Sequence, residues 1–145
     1  MSGIQEKASK LQEYLGKTRR HLHENPESSL KAFIQKELTS FGVPFEKVGE
    51  TGTLAIIKGG KGDGRTVLLR ADIDALELPD CTEKPYASKR PGLNHACGHD
   101  AHTAMGLGTA KLLNDIKDTF SGTVKIAFQP AEEIGAGAKQ FVSNR

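Results

Sequence analysis

The chain has little of several features that would narrow its role at once. It has only two cysteines, Cys81 and Cys97. They could pair in an oxidising compartment, but they form no Cys-x-x-Cys redox motif. No apolar stretch approaches the ~20 residues that a membrane span requires. The opening residues, Met1 to Lys7, contain no apolar signal core, so a cytoplasmic protein is expected. Neither sign of charge is in excess: 20 Lys and Arg face 18 Asp and Glu, for a net +2 spread along the chain. That balance argues against a nucleic-acid-binding or membrane-binding surface. There is no internal repeat and no low-complexity segment. What remains is an ordinary globular composition, 37% hydrophobic and 26% charged, in 145 residues. That length suits one domain with a real core.

Periodicity predicts a helix within residues 4–23, through Ile4, Leu11, Tyr14, Leu15 and Leu22, stopped at Asn25-Pro26. A second helix is expected after Ser28, carrying Leu30, Phe33, Ile34, Leu38 and Phe41 and ended by Gly42. Val43–Val48 and Thr53–Lys58 read as strands. Gly59 to Gly64 reads as a hairpin turn, without the helix and Ser/Thr that a phosphate loop needs. The apolar run from Thr66 to Asp72 reads as a strand buried on both faces. Residues 77–94 hold three prolines and read as a loop. A helix follows over about 101–116, then a strand over 122–128, and Gly135 to Ala138 opens a last helix. Strand, loop, helix, strand is a βαβ unit. The fold class is therefore α/β, with a mainly parallel sheet between helices. Ligands of such sheets gather at the C-terminal strand ends, where Asp72, Asp74, Glu132 and Glu133 fall.

Chemistry concentrates in His95-Ala96-Cys97-Gly98-His99-Asp100-Ala101-His102. In an extended segment Cys97 and His99, two apart, face the same side, and thiolate plus imidazole suits a divalent transition metal. Glu132 and Glu133, adjacent in an extended segment, would diverge, so that one ligates metal and the other addresses a metal-bound water. Asp72 and Asp74 face one side of their strand end. One of them could orient a histidine ligand, or could bond its own turn. A calcium loop from Asp72 is excluded, because its sixth position is Glu77 where glycine is required. The basic residues Lys17, Arg19, Arg20, His21 and His23 read as a solvated helix face.

Four blocks then make the chain resemble a known family. They are Arg19 to Glu27 (RRHLHENPE), Leu69 to Leu76 (LRADIDAL), the His95–His102 run and Gly122 to Glu133 (GTVKIAFQPAEE). Together they resemble the aminoacylase/carboxypeptidase-type metallopeptidases, in the branch of hippurate hydrolases, N-acyl-amino-acid amidohydrolases and auxin-conjugate hydrolases. The resemblance implies the N-terminal part of a zinc-peptidase-like catalytic domain with two divalent metal ions, Mn, Zn or Co. It implies hydrolysis of the amide bond of an N-acyl amino acid or small peptide, by metal-activated water and a glutamate base. On the matching positions, Cys97, His99 and Glu133 become metal ligands, Glu132 the general base, and Asp74 a supporting acid. Family members run longer, to further histidine ligands and a smaller domain used in dimerisation and closure. Residues 1–145 would then be a partial catalytic domain lacking those parts, with homo-oligomerisation a property of the full-length form. The alternative expectation is a truncated, catalytically incompetent fragment, serving at most as a metal-binding or interaction module. One departure is local: Ser28-Ser29-Leu30-Lys31 stands where the family carries a longer segment, so the second helix could pack differently.

Overall fold

Among the described residues, four strands form a single sheet in the order β1-β2-β4-β3. They are seen in a computed structural model that describes residues 3–26 and 30–143. The strands are β1 (Phe45–Val48), β2 (Gly52–Lys58), β3 (Thr66–Asp72) and β4 (Thr123–Gln129). The helices are α1 (Gly3–Ser9), α2 (Gln12–Glu24), α3 (Leu30–Ser40), α4 (His99–Asp115) and α5 (Gly137–Ser143), with a short 3-10 turn at Lys117–Thr119. Of the departure at residues 28–31, residues 28 and 29 lie outside the described residues, while Leu30 and Lys31 open α3.

The α/β class stands, but the sheet is mixed rather than mainly parallel. Only β3 and β4 run parallel; β1 with β2 and β2 with β4 are antiparallel. The connections explain this. Val48 pairs with Gly52, and so short a link can only reverse the chain, whereas α4 gives the β3–β4 connection the length a parallel crossover needs. The glycine-rich turn after Lys58 closes no hairpin, because β4 lies between β2 and β3. Its backbone bonds instead to the segment before β4: Gly59 N–H to Gly122 O at 2.8 Å and Gly60 N–H to Lys117 O at 2.8 Å.

α3 and α4 cover one face of the sheet. Ile34 and Leu38 from α3, and Leu107 and Ala110 from α4, meet Ala55, Ile57, Ala71, Ile126 and Phe128 from the strands, all buried. Gly106 sets the closeness of this packing: a Cβ there would lie 2.8 Å from the Phe128 ring. β3, expected to be buried on both faces, is the sheet's edge, with Val67, Leu68 and Leu69 at 50%, 51% and 40% exposure. The first predicted helix is broken at Lys10-Leu11. α1 buries nothing, while α2 turns Thr18, Leu22 and His23 inward and packs on α4. No helix among the described residues is long and apolar enough to cross a membrane.

The parallel pair matters for function. Asp72 is in register with Gln129, so β3 and β4 end together. Asp74 follows one end, and Glu132 and Glu133 follow the other.

Candidate metal centre

α4 begins earlier than expected, at His99, with Gly98 as its N-cap at φ +89°. A side chain rarely adopts that backbone conformation, so glycine suits the position. Cys97 and His99 are therefore brought together by a turn into a helix, not by an extended segment. Glu132 and Glu133 also sit in a turn, closed by Gly135 N–H to Glu132 O at 2.9 Å. Their carboxylates do not diverge: each has an oxygen 3.9 Å from His99 Nε2.

The buried His99 is the hub. Its Nδ1 lies 3.0 Å from the Asp74 backbone oxygen and 3.2 Å from the Asp74 carboxylate. A carbonyl oxygen only accepts, so in the neutral ring Nδ1 carries the proton and the lone pair sits on Nε2, turned toward the glutamates. Asp74 reaches the other loop as well, because its Oδ2 accepts the backbone N–H of Glu133 at 3.0 Å.

Donor atoms of Cys97, His99 and Glu133 lie within 4.8 Å of one another, and so do those of Asp72, His99 and His102. Buried Asp72 has one oxygen hydrogen-bonded to Arg70 at 2.9 Å, and its Oδ1 meets no hydrogen-bond donor among the described residues. The two imidazoles of His99 and His102 stack with ring centroids 5.5 Å apart. Around the exposed Cys97 thiol, a hydrogen bond with Glu133 pushes the pKa up, helped by a small loss of solvation and by the charges of Glu133, Glu132 and Asp72. Negative charge thus surrounds a soft donor and an imidazole lone pair. An arrangement of this kind fits a divalent cation, which would relieve the repulsion and displace the thiol's proton to solvent. The grouping of His102 with Asp72 was not singled out from sequence. Its signal was the i, i+3 spacing of His99 and His102 on one helix face.

The basic face expected on α2 is not wholly solvated. His23 is 4% exposed, with Nδ1 2.8 Å from Asp100 and Nε2 3.2 Å from Asp80. Arg19 Nε also lies 2.7 Å from the fully buried Asp100. Lys17 pairs with Glu13 on the surface. His95 is buried nearby, its pKa pushed down to about 4, chiefly by loss of solvent.

The sequence profile described as Peptidase family M20/M25/M40 matches residues 68–145, which include Asp72, Cys97, His99, His102 and Glu133. The chain belongs to the peptidase family M20/M25/M40. Relatives extend the match over nearly its whole length. N-acetyl-L-cysteine deacetylase of Bacillus subtilis is 45% identical over 142 residues, covering 94% of this chain and 34% of the relative. Hippurate hydrolase of Campylobacter jejuni is 40% identical, covering 92% of this chain and 36% of its own. Among solved structures, the Bacillus subtilis YXEP protein, described as a dinuclear metal-binding peptidase of the M20 family, superposes with a TM-score of 0.85 at 41% identity. That match covers 96% of this chain and 40% of YXEP. The chain thus spans about a third of the length of the curated relatives it matches.

Proposed function

We propose that this chain carries the metal-gathering part of a metal-dependent amidohydrolase, one that cleaves the amide bond of N-acyl amino acids or small peptides. The observation that carries the reading is the convergence of Cys97, His99 and Glu133 within 4.8 Å, with Glu132 on the same imidazole nitrogen. Cys97, His99 Nε2 and Glu133 would hold a divalent cation. Thiolate with imidazole favours zinc or cobalt, and the carboxylates also admit manganese. Such a cation acidifies water and polarises an acyl oxygen. Glu132, 36% exposed, is free to accept a proton from an attacking water and return it to the leaving amine. Arg70 stands 3.9 Å from Glu132.

Asp72 and His102 add two donors beside the first group, which supports a second ion. His99 has one free nitrogen and cannot complete both groups alone. That shortfall favours a second reading: residues 1–145 bind metal without turnover.

The two readings separate in one assay. The chain is loaded with Zn²⁺, Co²⁺ or Mn²⁺ and offered N-acetyl and N-benzoyl amino acids. Turnover abolished by a chelator, and by Glu132→Gln without loss of metal, supports the hydrolase. Stoichiometric metal without turnover supports the binding module, and absence of metal contradicts both.

A further inference from the structure

One charged network lies outside the metal donors and has no part in the reading above. Its centre is His23 on α2. The His23 ring is held between two carboxylates, with Nδ1 2.8 Å from Asp100 and Nε2 3.2 Å from Asp80. Each partner is fastened elsewhere. Asp100 is fully buried, is also held by Arg19, and accepts the Ala101 N–H through Oδ1 at 2.8 Å. It therefore anchors the first turn of α4, the turn that contains His99. Asp80 accepts the N–H groups of Ser88 at 2.7 Å and Thr82 at 2.9 Å, and so organises the loop of residues 77–94. That loop is pinned at its base by the Leu76–Asn94 bridge and leads directly to Cys97.

One imidazole therefore ties together the two pieces of backbone that deliver the thiol and the ligating histidine. We infer that His23 is a positioning residue for the metal centre, holding Asp80 and Asp100 so that Cys97 and His99 meet one cation. The inference rests on the metal-binding reading given under Proposed function. A merely structural role, docking α2 on α4, would instead make metal affinity follow fold stability.

The test uses the whole chain in a Cys81→Ser background, stripped with chelator and titrated with Co²⁺. The readouts are affinity and the near-ultraviolet thiolate-to-cobalt charge-transfer band, taken where circular dichroism shows each variant folded. His23→Gln is expected to lose affinity about ten- to a hundredfold, as outer partners of metal ligands do, and to weaken the band. Asp80→Asn is expected to move both readouts in the same direction by less. Leu22→Ala, which removes a buried α2 side chain next to His23, is expected to lower the melting temperature yet keep affinity and band. If His23→Gln does not fold, Asp80→Asn carries the test, since it leaves both Asp100 pairs in place. Wild-type affinity and band in the network variants would overturn the inference, and so would an equal loss in Leu22→Ala. A wild-type chain that shows no cobalt band would overturn the metal-centre reading itself, and the inference with it.

Discussion

The backbone oxygen of Asp74 lies 3.0 Å from His99 Nδ1, and this contact decides which imidazole nitrogen is free. Because Nδ1 is committed, Nε2 faces the two glutamates. The Asp74 carboxylate, at the same residue, holds the Glu133 backbone. Asp74 thus fixes two proposed ligands by different atoms. Asn at position 74 still offers an oxygen to the Glu133 N–H, whereas Ala does not. Asp74→Ala is therefore expected to weaken Zn²⁺ or Co²⁺ binding about tenfold or more, and Asp74→Asn to weaken it less. Competition against a chromophoric chelator measures both. Equal affinities in Ala and wild type would remove Asp74 from a supporting role.

The raised pKa of Cys97 has a direct chemical consequence. Its first cause is the hydrogen bond with Glu133, and the thiolate is the reactive form. Glu133→Gln removes a negative charge, so it is expected to move the pH midpoint of iodoacetamide alkylation downward in metal-free protein carrying Cys81→Ser. An unchanged or higher midpoint contradicts the account of the thiol.

Asp80 titrates at about 2, below its ordinary 3.8, chiefly because the Ser88 backbone N–H donates to it. A carboxyl whose folded pKa is depressed contributes stability above its unfolded pKa, and that stability is lost as pH falls through the folded value. The window here runs from about pH 4 down to about pH 2. Urea midpoints at about pH 5 and about pH 3 are expected to fall further for wild type than for Asp80→Asn. Parallel losses would mean that the Ser88 contact does not hold in solution.

Helix–sheet packing is tested at Gly106, whose missing Cβ accommodates Phe128 and Ala71 at 2.8 and 3.1 Å. Gly106→Val is expected to lose about 1–3 kcal/mol through overpacking, read by denaturant unfolding. Gly16→Ala on α2, where a Cβ meets nothing within 4 Å, is expected to be neutral or mildly stabilising. A Gly106→Val variant as stable as wild type would place α4 farther from the sheet.

Much of the candidate site was legible in sequence because the side chains that the structure brings together are local. Cys97, His99 and His102 fall within one helical turn and its cap, and Glu132-Glu133 follows an apolar strand. The α/β class followed from the β3–α4–β4 periodicity for the same reason. Strand neighbours were not legible. β4 inserts between β2 and β3 through long-range pairing that no local pattern encodes, so the expected hairpin and the doubly buried strand both failed. His23 was misread for a related reason: its partners Asp80 and Asp100 lie 57 and 77 residues away, and charge on a helix ordinarily faces solvent.

The central claim is that Cys97, His99 and Glu133 gather one cation, and zinc-edge X-ray absorption of the Zn²⁺-loaded chain tests it most directly. The account predicts one sulfur scatterer at about 2.3 Å beside nitrogen and oxygen neighbours, with the sulfur shell lost in Cys97→Ser and retained in Cys81→Ser. A shell of light atoms alone in the wild type, or a sulfur shell that follows Cys81, would contradict it.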